Sequence, residues 1–182
     1  MAVLLLVDIQ KAFEDLSWGE RNNPGAEKEA ARLLKHWRNC NLPVIHVQHT
    51  SQSRESLFFK GSIGHQFKEE VKPAAGESII QKSVNSAFIG TPLKDLLKNL
   101  RNKELVIAGL TTPHCVSTTV RMAANLGFSV WLPEDACASF ERKGHDGTVF
   151  SPGHIHQTEL AILHGEFAEV CTTEKVLKEF PA

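Results

Sequence analysis

The residues Val3-Leu4-Leu5-Leu6-Val7-Asp8 are an unbroken apolar run that ends abruptly at a carboxylate. The run is too short to cross a bilayer, because a spanning helix needs about 20 apolar residues. Continuous apolar character over so few residues is typical of a strand that is covered on both faces of a parallel sheet. The stretch therefore predicts a central β-strand, with Asp8 at its carboxyl end.

Further short apolar runs follow, and amphipathic stretches with helical spacing separate them. This alternation predicts an α/β fold in which helices cover a parallel sheet. The predicted strands are Val3–Val7, Pro43–Val47, Ser78–Ile80, Leu105–Ala108, Val130–Leu132 and Glu169–Cys171, and the predicted helices are Ala26–Asn39, Thr91–Leu100, Val116–Leu126 and Ile155–His164. The segment Ser51–Gly76 breaks the pattern, and a loop of this length is usually a lid, a binding loop or an interface element.

Composition and charge narrow the classes of function. The 182 residues contain 20 lysines and arginines against 21 aspartates and glutamates, and 42% of them are hydrophobic. A single domain over residues 1–182 is expected at this length. The balanced charge gives no general attraction to nucleic acid or to a membrane, and neither is expected as a partner. Cys40, Cys115, Cys137 and Cys171 are widely spaced, which favours a reducing cytoplasm over a disulfide scaffold.

Three polar residues follow predicted strands and are the candidates for catalysis. Asp8 follows the first strand, Lys82 the third, and Cys115 the fourth after a short turn. Ligands of open α/β sheets bind outside the carboxyl ends of the strands, so these side chains are expected to meet. A thiol at a helix N-terminus beside a lysine favours the thiolate, and a buried aspartate can exchange protons with it. Taken singly, each also has a structural explanation. Asp8 fits a helix cap, Lys82 a surface lysine and Cys115 a buried structural cysteine.

Three separated motifs carry a resemblance to a known family. They are Val7-Asp8-Ile9-Gln10-Lys11-Ala12-Phe13, Gln81-Lys82 with Ser86-Ala87-Phe88, and the stretch GLTTPHCVSTTVR at 109–121. Weaker similarity continues at 125–128, 134–136 and 160–170, in the family's order over nearly the whole chain. In these segments the chain resembles the isochorismatase-like cysteine hydrolases.

The resemblance implies a three-layer αβα, Rossmann-like fold with six parallel strands in the order 3-2-1-4-5-6. It also implies a catalytic triad of Asp8, Lys82 and Cys115, in which the cysteine forms a thioester with the substrate acyl group and releases ammonia or an amine. A non-proline cis peptide at Leu110–Thr111 and an oxyanion hole from the backbone N–H groups of Thr111 and Cys115 are implied as well. The substrate is then a small molecule, no cofactor is needed, and a homo-dimer or homo-tetramer is expected.

Other activities of the family are open alternatives. Nicotinamidases bind a metal through an Asp-x-His motif and a second histidine, whereas this chain has His46-Val47-Gln48-His49 without that aspartate. Histidines three apart on a strand point to opposite faces, and His154 and His156 also face apart, so no metal is expected and these are predicted to be core or surface residues. Isochorismatases cleave an enol ether without needing a cysteine nucleophile, so Cys115 favours the amidase branch. A redox-responsive or scaffold role is the non-enzymatic alternative.

The predicted substrate pocket lies beside the triad motifs. Its expected walls are Phe13, Trp18, Phe88, Leu110 and His114, although aromatic side chains are also typical of a plain core. Arg54 and His65, in the irregular segment, either bind a substrate carboxylate or are solvated. The sequence thus predicts a metal-independent hydrolase that cleaves a C–N bond in a small amide or ureido compound, and it does not identify the substrate.

Overall fold

The computed structural model describes residues 2–101 and 103–181. The strands are β1 (Ala2–Val7), β2 (Val44–His49), β3 (Ser78–Lys82), β4 (Glu104–Leu110), β5 (Ser129–Pro133), β6 (Cys137–Ala138), β7 (Arg142–Lys143), β8 (Val149–Phe150) and β9 (Glu169–Cys171). The α-helices are α1 (Ala26–Asn39), α2 (Leu93–Asn99), α3 (Ser117–Asn125), α4 (Pro152–Leu163) and α5 (Thr173–Glu179). A π-helical turn over Thr112–Val116 leads directly into α3.

Six parallel strands form the main sheet in the spatial order β3-β2-β1-β4-β5-β9. The short strand β6 pairs with the end of β4, and β7 and β8 form a separate hairpin. The predicted order is confirmed, with the strand at Glu169–Cys171 as the sixth. The chain runs outward from β1 to β3 and then returns to the other side of β1 at β4. Ligands bind at such a reversal of strand order.

Strand β1 divides the hydrophobic core into two layers, because its successive side chains point to opposite faces of the sheet. Val3, Leu5 and Val7 pack in a layer with residues of α2, α3 and α4. Leu4 and Leu6 pack in the other layer, with residues of α1 and α5. All five side chains are buried, and burying a side chain of this size fully is worth about 2 kcal/mol. The prediction of a strand covered on both faces is confirmed.

Helix α1 shows how the outer layers attach. Its apolar side chains Ala30, Leu33, Leu34 and Trp37 recur at helical spacing and are buried against the sheet. The Trp37 indole N–H donates a 2.9 Å hydrogen bond to the carbonyl oxygen of Ala2, so the helix is fastened to the start of β1. No helix in the described ranges is both long and apolar enough to span a membrane.

Helix α5, strand β6 and the β7–β8 hairpin escape the sequence prediction, and helix α4 begins earlier than expected. Helix α5 and the β7–β8 hairpin are short and carry little periodicity, which is the main sequence signal for an element. Helix α4 starts at Pro152 instead of Ile155, because Ser151 caps it by accepting a hydrogen bond from the His154 N–H. The segment Ser51–Gly76 is irregular, as predicted, with turns and one short 3-10 helix.

The irregular segment is held against the sheet by buried polar contacts. The Gln10 side-chain amide donates hydrogen bonds to the carbonyl oxygens of His49 and His65, at 3.0 and 2.9 Å. Lys68 is buried and lies 2.8 Å from the Glu27 carboxylate of α1. These contacts fix the segment over the carboxyl ends of β1 and β2, where it contributes to the candidate site.

Candidate active site

Asp8, Lys82 and Cys115 meet at the carboxyl ends of the central strands. Asp8 is the first residue after β1 and has a φ of 52°, a conformation that few residues other than glycine adopt. Beside it, Gly109 of β4 has a φ of +144°, and a Cβ at that position would overlap the backbone of Val7. A glycine is therefore required for β4 to approach β1 directly below the site.

The Lys82 ammonium group is the centre of the cluster. Its Nζ lies 2.6 Å from Asp8 Oδ2 and 3.2 Å from Cys115 Sγ. It is also 3.1 Å from the Val84 carbonyl oxygen and 3.1 Å from His49 Nδ1. The side chains of Lys82 and Asp8 are 0% and 1% exposed. An ammonium has three protons to donate, so these four acceptors satisfy it fully.

Cys115 is positioned by the π-helical turn before α3. Thr112, at the start of that turn, donates to the carbonyl oxygen of Ala138 at 3.1 Å, and its hydroxyl lies 2.8 Å from His156 Nδ1. These contacts attach the turn to β6 and α4. The Cys115 side chain is almost entirely buried but lines a cavity, so its sulfur is accessible from that cavity.

The Asp8 carboxylate is placed to accept a proton. Its Oδ2 is paired with Lys82, whereas its Oδ1 is buried without a hydrogen-bond partner among the described residues. Burial raises the pKa of Asp8 above its usual value, and the positive charge of Lys82 opposes that rise. A carboxylate with a raised pKa holds a transferred proton more readily than an exposed aspartate does.

The ionisation predicted for Cys115 is wrong for the resting site. Burial, followed by the charge of Asp8, raises the pKa of the Cys115 thiol to about 12, although Lys82 opposes the rise. The lysine and the helix terminus favour the thiolate, but the loss of water and the nearby Asp8 carboxylate outweigh them. The resting site therefore contains a neutral thiol beside an Asp8–Lys82 ion pair, and the thiol must lose its proton as it attacks.

His49 is part of the site, although the sequence analysis placed it in the core or on the surface. It ends β2 directly beside Lys82 of β3, and its Nδ1 accepts a hydrogen bond from the ammonium. Burial and the Lys82 charge lower the pKa of His49 to about 4, so it is neutral at pH 7. His46 points away and contacts Glu77 at 2.8 Å. The sequence contains one indication of this role, because His49 ends β2, the strand next to β1.

A cavity of about 170 Å³ opens onto Cys115 and Asp8. Its apolar walls are Phe13, Trp18 and Phe58, and its polar walls are His49, Asn85, Thr111, His114 and Arg142. The rings of Phe13 and Trp18 pack with centroids 5.0 Å apart, and Phe58 meets Phe13 edge-on at 5.2 Å. Three of the expected wall residues, Phe13, Trp18 and His114, thus lie where they were predicted.

The other predicted wall residues lie elsewhere. Phe88 stacks on Phe128 at 6.1 Å in the core on one side of the sheet. Leu110 points into a buried cluster with Ala138 and Phe140, behind the cavity wall. His65 is buried with its Nε2 2.9 Å from the Thr50 hydroxyl, and Arg54 is exposed outside the cavity. Closeness to a motif in sequence did not determine which face each side chain took.

Comparison with known proteins identifies the family. Residues 2–175 match the isochorismatase domain. The chain belongs to the isochorismatase family. It is 48% identical over 97% of its length to an isochorismatase family protein of Bacillus subtilis (strain 168), covering 95% of that protein. A solved hydrolase of the isochorismatase family from Chromobacterium violaceum superposes with a TM-score of 0.95 at 46% identity, covering 97% of this chain and 92% of that one. A streptothricin hydrolase of Streptomyces noursei is 30% identical over 76% of this chain and 54% of its own length.

The turn before Cys115 in this isochorismatase-family chain carries a backbone donor on a residue that lines the cavity. The Leu110–Thr111 peptide bond is cis, at the position that the resemblance implies. The Thr111 carbonyl oxygen accepts hydrogen bonds from the N–H groups of His114 and Val116. Within the described ranges the Thr111 N–H has no acceptor, and Thr111 lines the cavity. An unpaired N–H beside the thiol is available to a substrate oxygen.

The donor atoms of the site already surround a cation. Ligand atoms of Asp8, His49 and Cys115 all lie within 4.8 Å of one another, close enough to hold a metal ion. The Lys82 ammonium contacts all three, so it occupies the space between them. A divalent ion there would face a unit positive charge at contact distance in a water-poor site. The residues of this isochorismatase-family site therefore accommodate the Lys82 ammonium group better than they would a metal ion.

The raised thiol pKa predicts how Cys115 reacts with iodoacetamide. Only the thiolate reacts, and below the pKa its fraction increases about tenfold per pH unit. Because the pKa of Cys115 is about 12, its alkylation rate should keep rising through pH 7 to 10. The same cysteine in urea-unfolded protein should level off above about pH 8.5, the ordinary thiol pKa. Peptide mass spectrometry measures both rates, and a plateau below pH 8 in the folded protein would contradict the neutral thiol.

Proposed function

We propose that this chain is a metal-independent cysteine hydrolase that cleaves a C–N bond of a small amide or ureido compound through a thioester. The observation that carries the proposal is the set of contacts around Lys82 Nζ, 2.6 Å from Asp8 and 3.2 Å from the Cys115 sulfur. These three groups face a small cavity with aromatic walls. A nucleophile, a base and a cation around one enclosed space are the parts that acyl transfer requires.

In the first step the Cys115 sulfur attacks the substrate carbonyl carbon while the thiol proton moves to Asp8. Proton transfer during the attack avoids a free thiolate, which the high pKa of Cys115 makes unfavourable. The Asp8 proton then passes to the substrate nitrogen, the C–N bond breaks, and ammonia or an amine leaves. The product of this half-reaction is a thioester on Cys115, with Asp8 ionised again.

The second half-reaction regenerates the enzyme. A water molecule attacks the thioester carbonyl carbon and gives a proton to Asp8. The carbon–sulfur bond breaks, the carboxylic or carbamic acid product leaves, and the proton returns from Asp8 to the sulfur. Lys82 keeps its charge throughout, which stabilises whichever of the carboxylate and the sulfur is negative.

The negative charge that develops on the carbonyl oxygen needs donors on the opposite side of the substrate. We assign this oxyanion hole to the backbone N–H groups of Thr111 and Cys115. The unpaired state of the Thr111 N–H supports the assignment. Removing one donor from such a site commonly costs about 3–4 kcal/mol of transition-state stabilisation, so two donors account for a substantial part of the catalysis.

The names of two relatives support hydrolysis, and the second of them specifies an amidohydrolase. One is the streptothricin hydrolase already described. The other is a ureidoacrylate amidohydrolase of Cronobacter sakazakii, 29% identical over 67% of this chain and 49% of its own length. The proposal takes hydrolysis from both names and the amide class from the second, and it does not take over the substrates of those proteins.

The test is ammonia release from a panel of small amides, carbamoyl compounds and nicotinamide, with isochorismate as an enol-ether control. We expect turnover of at least one C–N substrate, unchanged by EDTA. Rapid acid quenching should trap the acyl group on Cys115 as an added mass. Turnover of isochorismate alone, or loss of activity in EDTA that zinc restores, would overturn the proposal.

A further inference from the structure

Arg142 is a charged residue of the cavity that the mechanism does not use. It lies on strand β7 of the small hairpin and lines the cavity with the aromatic residues. Its guanidinium carbon lies 5.7 Å from the centroid of the Trp18 ring, a distance typical of a cation–π contact. The contact holds a positive charge at the wall of an otherwise largely apolar space.

The charge of Arg142 is not balanced by any described residue. No carboxylate of the described ranges forms an ion pair or hydrogen bond with it. By contrast, other arginines of the chain are paired with glutamates: Arg21, Arg32, Arg38 and Arg121. At the base of the cavity Asp8 and Lys82 cancel each other, so the charge left facing a ligand is that of Arg142.

Arg142 is itself exposed to solvent, but it lines the cavity and its charge reaches a neighbouring cavity residue. It lowers the pKa of His114, a cavity residue, in addition to the larger effect of burial. His114 is therefore neutral near pH 7 and does not add a second cation. Its Nδ1 lies 2.9 Å from the Thr111 hydroxyl. A ligand in the cavity thus meets one unpaired cation, Arg142, and the Asp8–Lys82 ion pair of zero net charge.

We propose that the substrate of this site carries a carboxylate, which Arg142 binds while the scissile carbonyl group lies at Cys115. A guanidinium is suited to this role because its planar N–H groups can donate two parallel hydrogen bonds to a carboxylate. The assignment replaces the earlier candidates Arg54 and His65, which lie outside the cavity. The assignment of Arg142 rests on the proposed function only in placing the scissile carbonyl group at Cys115. Binding of the anion can be measured without any turnover.

The binding test uses protection of Cys115 from iodoacetamide at pH 9 by benzoate, with acetophenone as its neutral and non-hydrolysable counterpart. Both molecules are flat and suit the aromatic walls. Benzoate should protect at a concentration at least about tenfold lower than acetophenone, as expected for a charged hydrogen-bonded pair. Arg142→Gln should abolish this difference, and Arg142→Lys should keep part of it.

The neighbouring Lys143 provides a matched control. It is exposed like Arg142 and lies on the same strand, but it does not line the cavity, and Lys143→Gln removes the same unit of charge. We expect this variant to keep the preference for benzoate. Equal protection by the two molecules in the wild type would overturn the proposal. An equal loss of preference in Arg142→Gln and Lys143→Gln would also overturn it, because it would indicate general attraction of anions.

Turnover separates this inference from the proposed function. The kcat/KM for succinamate should exceed that for succinamide, and the ratio should fall by about tenfold or more in Arg142→Gln but not in Lys143→Gln. Benzoate protection without hydrolysis of any amide would support the anion site and overturn the amidase. If amides are hydrolysed and Arg142→Gln changes neither the preference for benzoate nor the kcat/KM ratio, the amidase would be supported and the anion site overturned.

Discussion

Replacing Cys115 with serine or alanine is expected to lower kcat by at least about 10³-fold, because the substituted side chain cannot form the thioester. Serine keeps the size and a proton, but its alkoxide is harder to form than the thiolate in a site that already resists ionisation. The fold should tolerate both changes, since Lys82 keeps three of its four acceptors. Steady-state kinetics, intact mass after acid quenching and thermal unfolding measure the three effects.

Cys40→Ser is the matched control for the change at Cys115. Cys40 follows the end of α1, is half-buried and lies outside the cavity, with its sulfur 3.7 Å from His36 Nε2. That variant should keep the wild-type kcat and the trapped acyl adduct. A Cys115→Ala protein that remains folded and retains more than a tenth of the activity would remove the nucleophile from the mechanism.

Lys82→Met should lower the free energy of unfolding at pH 7 by about 3–5 kcal/mol, because it leaves the Asp8 carboxylate buried without a cation. The pH dependence follows from the direction of the pKa shift. Burial raises the pKa of Asp8, and loss of Lys82 raises it further. A carboxyl group with a raised pKa in the folded state costs no stability below its unfolded pKa and destabilises progressively as pH rises. The deficit should therefore shrink between pH 7 and pH 4.5 in urea unfolding.

Two comparisons isolate the ion pair in this experiment. The double variant Asp8→Asn with Lys82→Met removes both charges and should recover more than half of the lost stability, although it remains inactive. Lys178→Met breaks an exposed pair with Glu174, 3.4 Å apart, and should change stability by no more than about 0.5 kcal/mol. If Lys82→Met and Lys178→Met had the same free energy of unfolding at pH 7, the Lys82 ammonium would not stabilise the buried Asp8 carboxylate as expected.

The sequence was enough to predict the sheet and the meeting of Asp8, Lys82 and Cys115. Each of these residues follows a recognisable strand, and the order of parallel strands brings their carboxyl ends to one edge. The unbroken run of apolar residues made β1 the clearest of these strands. The same rule applies to His49, which ends β2 and accepts a hydrogen bond from Lys82, a role that needs no metal ion.

The parts of the site that could not be predicted come from segments without periodicity. Phe58 lies in the irregular segment and Arg142 in a two-residue strand, and neither has a local pattern that determines its direction. Phe88 shows the converse, because it belongs to a motif and yet packs against Phe128. The ionisation of Cys115 also required the three-dimensional structure, since burial and the distance to Asp8 are not encoded in neighbouring residues.

The two kinds of support around the cavity have a consequence for how this protein can diversify. Asp8 and Lys82 are fixed by the rigid ends of hydrogen-bonded strands, whereas Phe58 and Arg142 project from a loop and a hairpin outside the main sheet. Replacements in the loop and the hairpin can alter which molecules are accepted without disturbing the geometry that breaks the bond. Reaction chemistry and ligand preference are therefore separable traits in this scaffold, inherited through different stretches of the chain.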